Sequence, residues 1–299
     1  MARSALTVTS VPGVRLGHWS DERARTGCSV VLLPAGTVAS GEVRGGAPGT
    51  REWALLDPRR SVDRVNAVVL TGGSAFGLAA CDGVARWCEE RGIGWPTPAG
   101  PVPIVVGMVI FDLMVGDPAV RPGAEAGYAA CQAARAGVSA VGRGPVGAGT
   151  GATVGKWRGA QAARPAGIGS ASVVEGDLVV AALVAVNAMG DALGASGPGL
   201  ARPRLPVAPA PVLADRPAPA VEATTIGVIV TNAAADKLGC RMLAEAGHDG
   251  LARSLDPVHG AADGDALVAA ATNSVPAPPA VVRALAGWVV EAAVADALA

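Results

Sequence analysis

The chain has 299 residues, 51 % of them hydrophobic and only 16 % charged, with a formal net charge of −1. That balance excludes the basic face a nucleic-acid partner needs, and 3 % aromatics leave little to stack on bases. So little charge for this length points to a large shared interface, and a homo-oligomer is expected.

No run reaches the roughly 18 uncharged apolar residues that span a bilayer, so no membrane partner is expected. Val102 to Phe111 and Leu178 to Met189 are the most apolar stretches, and both read as buried strands. The N-terminus, MARSALTVTSVPGVRLG, lacks the apolar core of a secretory signal. Cys28, Cys81, Cys88, Cys131 and Cys240 form an odd, scattered set without a CxxC, which reads as reduced thiols in a cytoplasmic protein. With only His18, His248 and His259 as imidazoles, neither a metal site nor a cofactor is expected.

In chain order, Cys28 to Leu33 and Val65 to Leu70 are short apolar runs bounded by turn residues, hence buried strands. Ser74 to Gly92 reads as a helix opened by a serine cap and closed by glycine, with Leu78, Cys81, Val84, Trp87 and Cys88 on one face. A second helix is expected over Gly123 to Ala136 and a long strand over Asp177 to Val186. Residues 192–222 are rich in Pro, Ala and Gly, the composition of a linker or surface loop. A strand from Thr224 follows, then helices from about Ala234 to Ser254 and from Pro279 to the end. Strands alternating with helices predict an α/β chain.

Two familiar motifs fail. Gly147-Ala-Gly-Thr-Gly-Ala-Thr-Val-Gly-Lys-Trp157 lacks both the first glycine and the final hydroxyl of a phosphate loop. Thr71-Gly-Gly-Ser-Ala-Phe-Gly77 misses the serine-hydrolase elbow by one residue, and Ser74 is better explained as a helix cap. Thr224-Thr225 is harder to dismiss. Two hydroxyls head an apolar strand directly after the proline-rich run, either as ordinary β-branched strand residues or as a new amino terminus in waiting.

Six blocks occur in order: RTGCSVVLLPAG (25–36), VRGGAPGTRE (43–52), VNAVVLTGGSAFGLAACDGVARW (65–87), GAGTGATVGKW (147–157), ATTIGVIVTN (223–232) and PVHGAADGDAL (257–267). Together they closely resemble the L-aminopeptidase/D-esterase family of N-terminal-nucleophile hydrolases, which includes β-peptidyl aminopeptidases and hydrolases of nylon (6-aminohexanoate) oligomers. The likeness runs from about Pro12 to Asn273.

The resemblance implies an αββα layered fold in one catalytic domain, 1–299. It also implies self-cleavage at Ala223–Thr224 into a large chain, 1–223, and a small chain, 224–299. Thr224 becomes the nucleophile, with its freed α-amine, whose pKa is about 7.7–8.0, as the base. Asn187 maps to the oxyanion-hole amide and Lys156 to a positioning cation. Asp263 and Asp265 map to an acidic pair near the nucleophile. This Asp/Asp pair is similar to the nylon-oligomer branch rather than to the Ser/Glu of the β-peptidyl branch. Two departures stand out: Ala223 replaces the usual Asn or Gly before the cut, and Phe111 stands where several members place an active-site tyrosine. The implied substrates are peptides with a free amino end or 6-aminohexanoate oligomers. An acyltransferase of the ornithine acetyltransferase kind, or a non-catalytic relative, would share the fold.

Overall fold

The computed structural model describes residues 7–136, 142–193 and 223–299. Nine strands build two sheets: β1 (Arg15–Asp21), β2 (Thr26–Leu32), β3 (Val38–Val43), β4 (Ala67–Thr71), β5 (Val105–Val109), β6 (Ile168–Glu175), β7 (Leu178–Asn187), β8 (Thr224–Ala233) and β9 (Ala266–Val275). The first sheet runs β5-β4-β2-β1, extended at its edges by the pairs Thr50–Arg51 and Arg135–Ala136. The second runs β6-β7-β8-β9-β3. Within each, one neighbouring pair is parallel (β4 with β5, β8 with β9) and the rest are antiparallel.

Side chains alternate across the first sheet and so separate two packing layers. Cys28, Val30, Leu32, Ala67, Val69 and Val105 face the helices α1 (Ala80–Glu89) and α2 (Ala124–Ala133). Val31, Val68, Leu70, Val106 and Met108 face the other way, into the core shared with the second sheet. Helices α3 (Lys237–Ser254) and α4 (Pro279–Ala297) cover the far side of that second sheet. The layers are therefore helix, sheet, sheet, helix, and the αββα expectation holds. All ten residues of β7 and all ten of β8 are buried, which is why they read as unbroken apolar runs rather than as alternation. Gly247 lets α3 settle onto them, since a Cβ there would stand 2.5 Å from Ile229 Cδ1.

Several boundaries shift. The Ser74–Gly92 helix divides into a 3-10 turn, Ser74–Ala79, and α1. Ser74 makes no side-chain cap: the chain enters through left-handed Gly73 (φ 81°) and Ser74 (φ 54°). The Gly73 N–H is taken instead by Asp112 Oδ1, 2.7 Å away. A carboxylate from beyond the neighbouring strand thus fixes the entry to the turn, and no side chain caps it. Gly92, at φ 67°, does end the helix. No helix follows Gly147–Trp157, where short 3-10 turns frame the two-residue strand Thr153–Val154. Most of the linker, residues 194–222, lies outside the described residues, but Ala192 within it pairs with Leu255. The five cysteines are free and buried, with Cys81 and Cys88 in the α1 packing layer.

Candidate active site

β8 and β9 are parallel and begin at the same end of the sheet, Ala266 opposite Ile226, and the last residue of antiparallel β7 lies at that end too. Thr224 pairs with Asn187 in this register, and Ala223 forms a bridge with Asp263. The segments leaving β4 and β5 in the first sheet, Gly72–Gly73 and Ile110–Asp112, reach the same place. The site is the end of the sandwich at which both sheets deliver their strand termini.

Ala223 is 1 % exposed and Thr224 5 %. The Ala223 N–H donates to Ala262 O at 3.1 Å, and the Ala223 carbonyl accepts from the Gly264 N–H at 2.8 Å. The Thr224 hydroxyl lies against that same carbonyl oxygen. Nothing larger than glycine fits at 264, since a Cβ would stand 2.8 Å from Thr224 Oγ1 and 2.7 Å from Ala47 O. Thr225 points to the opposite side of the strand, and its hydroxyl is buried without a hydrogen-bond partner among the described residues.

Lys156 is 4 % exposed and its Nζ donates to Asn187 Oδ1 (2.7 Å), Asn187 O (2.9 Å), Thr153 O (3.1 Å) and Thr153 Oγ1 (3.2 Å). Asn187 Oδ1 also accepts the Thr153 N–H at 3.0 Å. With two donors on its oxygen, the Asn187 amide is oriented without ambiguity, and its Nδ2 donates to Phe111 O at 2.9 Å. Phe111 thus enters the site through its main-chain carbonyl. Burial lowers the Lys156 pKa to about 7, although Asp263 and Asp112 both favour its charged form.

The acidic pair is fully engaged. Asp263 accepts from the N–H groups of Met189 (3.2 Å) and Gly260 (2.9 Å), and burial, then the charge of Asp265, raises its pKa. Asp265 Oδ1 accepts the Thr225 N–H at 2.6 Å, and its Oδ2 accepts from His259 N (3.1 Å) and lies 2.8 Å from His259 Nδ1. The DGD segment therefore grips the strand one residue beyond Thr224. The block 43–52 backs it from outside: a Cβ on Gly45 would stand 2.3 Å from Asp263 O.

Two participants were not singled out in the sequence. Asp112, 3 % exposed, accepts from Thr26 Oγ1 (2.7 Å) as well as from Gly73 N, and burial raises its pKa. A single acid ending an apolar strand was its only signal. His259, left-handed at φ 58°, holds Asp265 and stands edge-on to His248, with ring centroids 4.9 Å apart. Burial lowers the His248 pKa to about 3, so its ring is neutral.

A hydroxyl against a carbonyl that a main-chain N–H already polarises, beside a buried lysine and an oriented amide, is the equipment of acyl transfer. Solved structures share the architecture. A β-aminopeptidase from Burkholderia sp. superposes with a TM-score of 0.72 at 25 % identity, over 97 % of this chain and 85 % of that one. The L-aminopeptidase D-Ala-esterase/amidase of Ochrobactrum anthropi, described as a variant of the Ntn-hydrolase fold, gives 0.71 at 20 % identity over the same shares. The fold class is thus that of the Ntn hydrolases. The pattern of peptidase family S58 matches residues 7–299, and the chain belongs to that family. It is 43 % identical to an uncharacterized aminopeptidase of Mycobacterium leprae, over 93 % of this chain and 81 % of that protein. It is also 31 % identical to a 6-aminohexanoate-oligomer endohydrolase of Agromyces sp., over 89 % and 75 %. The protein is a hydrolase acting on amide bonds.

Proposed function

We propose that the chain cuts itself between Ala223 and Thr224, and that Thr224, as the new amino terminus of a 224–299 chain, is the nucleophile of an aminopeptidase or amidase. The observation that carries this is the buried Ala223–Thr224 peptide, whose carbonyl accepts the Gly264 N–H at 2.8 Å and has the Thr224 hydroxyl next to it. In the first step Oγ1 adds to the carbonyl carbon, the Ala223–Thr224 C–N bond breaks, and nitrogen takes the proton to become the α-amine. Water then hydrolyses the resulting ester, releasing the Ala223 carboxylate and restoring the hydroxyl. In turnover the α-amine, with a pKa of about 7.7–8.0 in free peptides, takes the hydroxyl proton and passes it to the leaving amine.

The Asn187 amide is the side-chain oxyanion donor, and Lys156 holds it by its oxygen. Asp263 and Asp265 fix the strand that carries the nucleophile. Substrates are peptides with a free amino end or 6-aminohexanoate oligomers, the latter by likeness to the Agromyces enzyme. The low share of charged residues supports a homo-oligomer of cleaved chains, and five free thiols support a cytoplasmic setting. Among the described residues no helix is long and apolar enough to cross a membrane.

Intact mass and N-terminal sequencing test the proposal. The purified protein should give two chains, the smaller beginning Thr224-Thr225-Ile226, while Thr224→Ala should remain folded, uncut and inactive on amides. An uncut chain that hydrolyses amides would overturn it.

A further inference from the structure

We propose that Asp112 is a positioning residue for the reaction: it aims the Asn187 amide from the first sheet, by holding the Phe111 carbonyl to which that amide is bonded. This rests on Asn187 being the oxyanion donor. An amide NH₂ group is planar and carries two hydrogens. One of those on Asn187 Nδ2 goes to Phe111 O at 2.9 Å, and the direction of that bond fixes where the other points. The opposite end of the amide, Oδ1, is held by Lys156 and the Thr153 N–H. Whatever sets the Phe111 carbonyl therefore helps to set the oxyanion donor.

Phe111 has a fixed neighbour on each side. The Ile110 N–H donates to Thr71 O at 2.8 Å, and the Ile110 carbonyl accepts the Ser74 N–H at 3.0 Å. Asp112 is held through its side chain instead. Oδ1 accepts the Gly73 N–H and Oδ2 the Thr26 hydroxyl, each at 2.7 Å. Thr26 opens β2, Gly73 follows β4 and Asp112 follows β5, so one carboxylate joins the ends of three strands. Its place is shaped to fit. A Cβ on Gly72 would collide with Asp112 Oδ2 and stand 2.5 Å from Thr26 Oγ1, and one on Gly151 would stand 2.9 Å from Asp112 Cβ. An uncharged acceptor could serve those two donors, and a buried carboxylate is costly. The charge has a second use. Burial raises the Asp112 pKa, while the Gly73 N–H, the Thr26 hydroxyl and the Lys156 charge favour its ionised form. Asp112 and Asp263 in turn favour the Lys156 ammonium against burial, and that ammonium donates to Asn187 Oδ1 at 2.7 Å. Asp112 thus acts on both ends of the amide, through Phe111 O at one and through Lys156 at the other.

Asp112→Ala, Asp112→Asn and Thr26→Val, each alone and combined with Asn187→Ala, test the assignment. The quantities read are the self-cleavage rate of the purified full chain, kcat and KM of the matured protein on L-alanyl p-nitroanilide, and thermal melts. Asp112→Ala should lower the self-cleavage rate and kcat about tenfold or more, towards the roughly 10²-fold of an oxyanion donor itself, and leave KM unchanged. Asp112→Asn keeps an acceptor but loses the charge, and should fall between Asp112→Ala and the natural chain. Thr26→Val takes away one of the two bonds to the carboxylate and should cost about threefold. In the Asn187→Ala background all three should cost less than about twofold, because the amide they aim is gone. A residue that only braces the fold gives a different pattern. Equal losses with and without Asn187, losses confined to KM, or a lowered melting temperature with kcat unchanged would overturn the role. If Asp112→Ala does not fold, Asp112→Asn and Thr26→Val decide by the same comparison. If Asn187→Ala itself cuts and turns over at the natural rate, the oxyanion assignment fails, and this role fails with it.

Discussion

Of the 24 basic residues, only Lys156 and Lys237 are lysines, and the fold buries both, to 4 % and 7 % exposure. At the start of α3, Lys237 Nζ donates to the carbonyls of Leu55 (2.7 Å), Arg60 (3.0 Å) and Val62 (2.7 Å) and pins that loop. Lys156 finds two main-chain carbonyls as well, but its shortest bond is to the side-chain oxygen of Asn187, and Asp263 and Asp112 lie close enough to influence its charge. An ammonium suits both places because it presents three donors from one compact centre, which a planar guanidinium does not. What separates the two is the acceptor. A clamp needs only backbone oxygen, whereas a lysine that orients a side-chain amide can transmit its loss to chemistry.

Removing each lysine tests that difference. Lys156→Met takes from the Asn187 amide oxygen the shorter of the two bonds that aim it and leaves only the Thr153 N–H, so maturation and amide turnover should both fall by up to about 10²-fold, the worth of an oxyanion donor. Asn187→Ala should fall by a similar factor, and the two losses should not add, because the residues act as a unit. Independent effects in the double variant, read from single-turnover rates, would separate the pair.

Acid should also act on the scaffold, below the pH at which the α-amine base is protonated. Burial lowers His18 to about 4 and His248 to about 3. A base whose folded value is depressed contributes stability that is whole above the unfolded value of about 6.5 and is lost as pH falls toward the folded value. Each should withdraw on the order of 2–3 kcal/mol by about pH 4. Denaturant melts across this range should show the loss, and His18→Asn should flatten its share.

Lys237→Met should leave three carbonyls underserved and cost about 1–3 kcal/mol in denaturant melts, while matured, folded protein keeps its specific activity. Loss of activity without loss of stability would erase the contrast between the two lysines. The smallest effect expected is at His259, which reaches Thr224 only through Asp265 and the Thr225 N–H. His259→Leu should slow turnover about tenfold, the worth of one hydrogen bond to a charged group. His259→Asn should recover most of it, since its amide supplies the Nδ1 donor and asparagine accepts a left-handed backbone. Equal rates for the two variants would deny His259 that role.

The sequence by itself determined the α/β class, β2, β4, β7 and β8 to within a few residues, the last two helices, and the order of the six blocks. These are signals of short range: continuous apolar runs, punctuation by glycine and proline, and local strings. It also named Thr224, Lys156, Asn187, Asp263 and Asp265, which the fold brings to one end of the sandwich. β9 was not legible, because the alanines of Ala266–Val275 favour helix and become a strand only between β8 and β3. The cap expected at Ser74 is not made, and the entry to that turn is held instead at Gly73 by Asp112, 39 residues further on. Tertiary structure alone decided that Asp265 grips Thr225, that Phe111 serves through its carbonyl, and that the Gly264 N–H meets the Ala223 carbonyl. Every residue carries a main-chain acceptor and every residue but proline a donor, so the sequence hardly marks them, and only the pairing of strands selects which will meet.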